Sequence, residues 1–273
     1  MTDRPRPPKL PAMYEKLKVT NEDGVTVLTL NDPSTLNAAG LPLMRDLTDA
    51  IDRIAAGDIQ TRCVVLTGEG RGFCSGANLQ GREVQGDKER DSGASLEAVY
   101  NPFIRKLRDL PIPVLSAVNG PAAGVGASLA LMADMIVASE DAYFMQAFRR
   151  IGLVPDGGST WMLPRMIGKA RAMELMLLGD KLPALKALEW GLINRCVPAP
   201  ELMPTAMTLA KELAAGPASL GMIRSLVWAS LDRSHDEQLD AERRMQRDAG
   251  RTADAAEGVR AFLEKRPAAF TGK

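Results

Sequence analysis

An α/β fold followed by a run of helices is what this 273-residue sequence predicts. Twice an apolar, strand-like stretch breaks at glycines and passes into a helical pattern. The first is Cys63 to Thr67 running into GEGRGFCSGANL (68–79), and the second is Val114 to Val118 running into NGPAAGVGASLAL (119–131). Strand, turn and helix in alternation is the pattern of α/β architecture. From Glu201 to Phe270 the pattern changes to amphipathic helices in succession.

The elements follow in order. Residues 1–12 carry four prolines and alternating charge, and form a flexible lead with nothing to pack. Tyr14–Thr20 and Val25–Leu30 flank Asn21-Glu22-Asp23-Gly24, a hairpin signal, and Asn31-Asp32-Pro33-Ser34 stops the second strand. Leu41–Ala55 places apolar residues at 43, 44, 47, 51 and 54, a helical period. Arg62–Thr67 reads as a buried strand. Residues 80–95 are charged, contain glycine and lack period, and read as a surface loop. Leu96–Leu110 resumes a helix, closed by Pro111 and Pro113, and Met135–Ala138 is a further strand. Helical patterns then cover 201–216, 217–231, 236–250 and 254–266, with breaks at Gly216-Pro217 and around Ser230–Asp236. The division is a lead at 1–12, a core at 13–200 and a helical region at 201–273.

Composition excludes several classes of function. The formal net charge is zero, so no global field favours nucleic acid or anionic membranes. No apolar run is long enough to span a bilayer, and the first residues lack the apolar segment of a secretory signal. Cys63, Cys74 and Cys196 show no CxxC or metal spacing, and His235 is the single histidine. Free thiols point to a reducing compartment, here the cytoplasm. No bound metal or permanent cofactor is expected. Fourteen methionines suit core filling and adaptable apolar pockets alike.

Each glycine-rich turn is a device for presenting main-chain N–H groups, because glycine permits tight turns and close approach while a helix start leaves donors unpaired. Two such turns make a two-donor hole for a developing oxyanion. A dinucleotide fold would also alternate strand and helix, but GVGASL lacks the third glycine and no acidic residue closes a following strand.

GRGFCSGANL followed by VNGPAAGVGASLALMADMIVAS, IGLVPDGGSTWMLPRMIG, ARAMELMLLGD and ALEWGLINRCV resembles the enoyl-CoA hydratase/isomerase (crotonase) superfamily over roughly residues 15–270. The resemblance implies a spiral of ββα turns with two roughly perpendicular sheets and a C-terminal helical region used for trimerisation. It implies an acyl-CoA thioester as substrate, with coenzyme A as part of that substrate, and a homotrimer or homohexamer.

Matched position by position, the two oxyanion donors are the N–H groups of Ala77 and Val125, the latter set between Gly124 and Gly126. The two glutamates of the hydratases fall at Ser128 and Phe148, neither of which is a base. Ser128 is open to holding a water, and Phe148 to lining an acyl pocket or filling core. One carboxylate remains, Asp156, where family isomerases carry the group that moves a proton along the acyl chain. Capping the helix that begins near Gly158 is the ordinary alternative for Asp156. The segment around Asp156 is similar to isomerases of phenylacetate degradation, which lack both glutamates and retain the aspartate. Aryl-CoA dehalogenases also use an aspartate here, with a histidine base that this sequence does not supply. Coenzyme A is expected along Ala38, Gly76, Ala77, Asn78 and Leu79, with Lys265 and Phe270 meeting it from the C-terminal tail, often a neighbouring subunit's. The readings that follow are an acyl-CoA isomerase, a hydratase, or a non-catalytic acyl-CoA binder.

Overall fold

The computed structural model describes residues 14–78 and 91–273. The lead expected at 1–12, Leu79 and most of the loop expected at 80–95 therefore lie outside the described residues.

β1 (Leu17–Glu22) and β2 (Val25–Leu30) form the expected hairpin, with Glu22 opposite Val25. Only Asp23 and Gly24 remain as the loop, both at positive φ (51° and 77°), so the connection is shorter than the four-residue signal predicted. This mirror-image turn matches the right-handed twist of the strands. α1 (Leu41–Ala56) buries Leu43, Met44, Leu47, Ile51 and Ile54, the five positions that set its period. β3 (Cys63–Gly68) and β4 (Val114–Val118) are almost wholly buried parallel neighbours.

The expected helix over Leu96–Leu110 is two pieces. A π-helical turn at Leu96–Tyr100 precedes α2 (Asn101–Asp109). Pro102 has no N–H to return to the preceding turn and its ring crowds the carbonyl there, which the widened turn absorbs.

β5 (Pro121–Ala123) leads into α3 (Val125–Leu131); β6 (Met135–Ser139) and β7 (Tyr143–Met145) follow. α4 (Ser159–Leu178) is broken at Gly168, whose φ of 79° and ψ of 157° are not helical. β8 (Lys181–Pro183), α5 (Ala184–Glu189) and β9 (Arg195–Val197) complete the layered part. One sheet has the order β1-β2-β3-β4-β6-β9 and a second the order β5-β7-β8. Cys74 makes an isolated bridge to Ala122, so the chain repeatedly visits the large sheet, then the small one, then a helix. β4-β5-α3 and β6-β7-α4 are two such turns of a spiral.

Four helices close the chain: α6 (Leu202–Ala214), α7 (Ser219–Ser230), α8 (His235–Ala249) and α9 (Ala253–Glu264). The first of them, α6, begins just past the expected division at 200/201. α6 lays Leu202, Ala206, Leu209, Ala210 and Ala214 against Val25, Cys63, Val65, Leu115, Ala117 and Val137. The central strands are buried on both faces, and α6 is the cover for the second face, so it belongs to the core. α7 is anchored by Arg224, 6% exposed, which donates to Asp134 Oδ2 at 2.7 Å, to the Leu110 and Leu107 carbonyls at 2.8 and 2.9 Å, and to the Arg108 carbonyl. Among the described residues no helix is long and apolar enough to cross a membrane.

Candidate active site

The two glycine turns pack directly on one another. A Cβ on Gly126 would lie 2.2 Å from the Cys74 carbonyl oxygen, and one on Gly120 would lie 2.1 Å from that of Arg71. Any side chain at either position would push the turns apart. Two asparagines hold the first turn further, one from the second turn and one from the segment after β2. Asn119 accepts from Gly68 N and donates to the Gly70 carbonyl at 2.8 Å, while buried Asn37, at φ 58°, donates to the Gly72 carbonyl at 2.7 Å. Neither asparagine stood out in the sequence; the VNG turn and an Asn shortly after a strand were the available signals.

Within this scaffold the main-chain donors can be accounted for one by one. Ala123 N–H donates to the Cys74 carbonyl and Gly124 N–H to the Met145 carbonyl, both at 2.9 Å; Ser75 N–H goes to the Leu36 carbonyl. The N–H groups of Ala77 and Val125 have no acceptor among the described residues. Gly76 stands at φ 105°, a conformation open to glycine, and a Cβ there would meet the Ala123 carbonyl oxygen at 2.9 Å. The strands and their bridges consume the neighbouring Ser75, Ala123 and Gly124 donors.

Asp156 lies in the turn that leads from Phe148 to α4. Gly157, at φ 61°, is seated against α3: a Cβ on it would lie 2.7 Å from Ser128 Cβ and 3.4 Å from Val125 Cγ2. The turn thus packs on the Val125 side chain and on Ser128. Among the described residues Asp156 Oδ1 is buried without a hydrogen-bond partner, and burial pushes the Asp156 pKa up to about 6. The capping alternative is corrected here. α4 is capped by Gly158 with no side-chain hydrogen bond, and it is the Asp156 carbonyl, not its carboxyl, that accepts from Ser159. The carboxyl is left free for chemistry.

Ser128 also departs from expectation. It is 0% exposed, and its hydroxyl donates to the Asp156 carbonyl at 2.9 Å instead of standing open to a water or substrate. Phe148 is buried with its ring next to Gly124, 3.7 Å from where a Cβ would stand, so it walls the site at the second donor.

Ala38 joins the cluster through its neighbour, since Ala39 N–H donates to the Gly76 carbonyl at 2.7 Å. Ala38 and Asn78 line a polar cavity of about 280 Å³ with Lys16, Asp32 and Thr35. Tyr100 donates to the Ala39 carbonyl from behind and fixes this segment. Lys265 and Phe270 are not brought to the cluster within one chain. Lys265 ends α9 at φ 53°, and the Phe270 ring rests on α9 against Gly258. Their tail is held by buried Asp254, which accepts from the N–H groups of Thr271 and Gly272. A larger cleft of about 980 Å³ runs between α2, α4 and α7 and reaches this region only at Gly158. The donors and Asp156 do not line it.

Two packed glycine turns, and a desolvated carboxyl in a turn that packs on the helix following the second, stand on a ββα spiral. The enoyl-CoA hydratase/isomerase family model matches residues 20–273. The chain belongs to that family. It is 47% identical over 254 residues to 1,2-epoxyphenylacetyl-CoA isomerase of Escherichia coli, covering 92% of this chain and 97% of that protein. A Rhodobacter capsulatus protein named probable enoyl-CoA hydratase is 43% identical over 265 residues, covering 95% and 99%. The crystal structure of an enoyl-CoA hydratase/isomerase from Cupriavidus metallidurans superposes with a TM-score of 0.88 at 30% identity, covering 95% and 97%. The fold is accordingly the crotonase-like ββα spiral with C-terminal helices, and the likeness to phenylacetate-pathway isomerases is borne out. The relatives include isomerases and hydratases.

Proposed function

We propose that this member of the enoyl-CoA hydratase/isomerase family is an acyl-CoA isomerase. The observation that carries the reading is the desolvated, unpartnered Asp156 carboxyl in a turn whose Gly157 packs on Val125 and Ser128 of α3; by the family resemblance Ser128 and Phe148 stand where hydratases carry glutamates. One proton-transfer group suits moving a proton; adding water across a double bond calls for a second group to orient the water.

The proposed chemistry uses these groups in turn. A 3-enoyl thioester places its carbonyl oxygen between the Ala77 and Val125 N–H groups. The Asp156 carboxylate takes a proton from C2, and the C–H electrons move through the thioester to an enolate oxygen held by both donors. Each such donor contributes roughly 3–4 kcal/mol of transition-state stabilisation. The protonated Asp156 returns the proton at C4, the thioester carbonyl re-forms, and the double bond lies between C2 and C3. A pKa near 6 allows the carboxyl to accept and return a proton near neutrality. The same oxyanion hole and base serve a ring-rearranging isomerase, the activity named for the Escherichia coli relative.

The coenzyme A moiety runs along Ala38 and the Gly76–Asn78 backbone, supported by the polar cavity there. The protein assembles as a homotrimer or homohexamer through its C-terminal helices, since α9 exposes Val259, Leu263 and Phe262, the last at 83%. A neighbour's tail then supplies Lys265 and Phe270. Light scattering measures the mass, and a monomer at micromolar concentration contradicts the assembly. The test of the activity is product analysis with 2-enoyl and 3-enoyl thioesters. Bond migration is expected, and a 3-hydroxyacyl product as the main species contradicts the reading.

A further inference from the structure

We propose that Ser128 is a positioning residue whose hydroxyl ties the Asp156 turn to α3 and so sets the carboxyl against the Val125 donor. The inference rests on the assignment of Asp156 as proton carrier and goes one step behind it, to what aims that carboxyl.

Three donors reach the Asp156 carbonyl. Ser159 N–H at 3.1 Å and Ser159 Oγ at 2.9 Å come from within the same turn and shape it internally. Ser128 Oγ, at 2.9 Å, comes from 28 residues upstream, on the helix that begins with Val125. It is the bond that registers the turn against the oxyanion donor. Shape reinforces it. Gly157 at φ 61° lies so close to Ser128 that a Cβ on it would approach Ser128 Cβ to 2.7 Å. A longer side chain at 128 would lift the turn, and a residue without a hydroxyl would leave it unregistered. Among the described residues Asp156 Oδ1 has no hydrogen bond of its own to aim it, so its direction is inherited from the backbone that Ser128 holds. Serine at 128 therefore fills the position of a hydratase base with a group that instead places the remaining base.

The test uses the full-length protein with a trans-3-hexenoyl thioester of coenzyme A as probe, comparing Ser128→Ala, Ser159→Ala and Asp156→Asn. Misplacing a reacting group by about 1 Å costs up to about 100-fold, so Ser128→Ala is expected to lower kcat about 10- to 100-fold with KM within about twofold. The acid limb of its pH profile moves lower, because a loosened turn admits water to the carboxyl. Ser159→Ala leaves the bond to α3 in place and loses less. A Ser128→Ala kcat within about twofold of wild type, an effect confined to KM, or an equal loss in Ser159→Ala overturns the inference. If Ser128→Ala does not fold, Ser128→Cys replaces it. Its weaker S–H donor gives an intermediate loss in kcat, and a wild-type kcat overturns the inference. Full activity in Asp156→Asn sinks the proton-carrier assignment itself, whereas an inactive Asp156→Asn beside a normal Ser128→Ala sinks only the positioning role.

Discussion

Replacing Asp156 with asparagine is expected to make the protein more stable at neutral and alkaline pH while removing its activity. The reason is the burial that raises the carboxyl from an ordinary 3.8 to about 6. A group that holds its proton more tightly when folded stabilises the fold below its unfolded pKa. That contribution is lost as pH rises through the folded pKa. At pH 8 the wild-type protein holds an anion in a site that disfavours it, and the asparagine variant does not. A pKa difference of about 2 corresponds to roughly 3 kcal/mol, and because Asp156 is only half-buried, screening by water reduces the expectation to about 1–2 kcal/mol. The gap is largest above pH 7, and roughly a third of it remains at pH 4.5. Urea unfolding of both proteins at equal concentration, at pH 8 and pH 4.5, measures it. A variant no more stable than wild type at pH 8, or a gap that does not change with pH, refutes the argument that Asp156 is desolvated and unpaired.

Other expectations follow from the same geometry. Proton transfer begins from the Asp156 carboxylate, so kcat/KM should fall tenfold per pH unit below about 6, and a profile flat down to pH 4.5 contradicts that base. Val125→Pro removes one donor at the first position of α3, where proline is tolerated, and should lower kcat by about 100- to 1,000-fold with the far-ultraviolet circular dichroism unchanged. Gly126→Ala forces a methyl onto the Cys74 carbonyl and should cost roughly 3 kcal/mol or more in urea unfolding. Arg224→Leu leaves Asp134 and three carbonyls without their buried partner and should cost roughly 3–5 kcal/mol by the same measurement.

Much of this was legible in the residues, and what was not has a physical explanation. The periods of α1 and the four C-terminal helices, and the buried runs of β3, β4 and β6, appear where hydrophobic spacing places them. Covalent spacing and glycine content also marked the two turns. Sequence could not say which side of the core α6 would occupy, because an amphipathic stripe fits a sheet face as well as a partner subunit. It could not choose between a capping and a free Asp156, since that depends on Gly157 pressing against Ser128 across 29 residues of chain. Pro102 was visible, but a widened turn is one of several ways to absorb a proline. Asn119 ties the second turn to the first, and Asn37 holds the first turn from the segment after β2, through side-chain bonds that no local pattern announces.

The central claim is that Asp156 moves the proton while Ala77 and Val125 hold the enolate. It is tested most directly by incubating enoyl thioesters of coenzyme A in deuterated water with wild type and with Asp156→Asn, and following deuterium at C2 and C4 together with double-bond position by NMR. The account predicts exchange with bond migration in the wild type and loss of both in the variant. Exchange indifferent to Asp156, or water added across the double bond in place of migration, contradicts it.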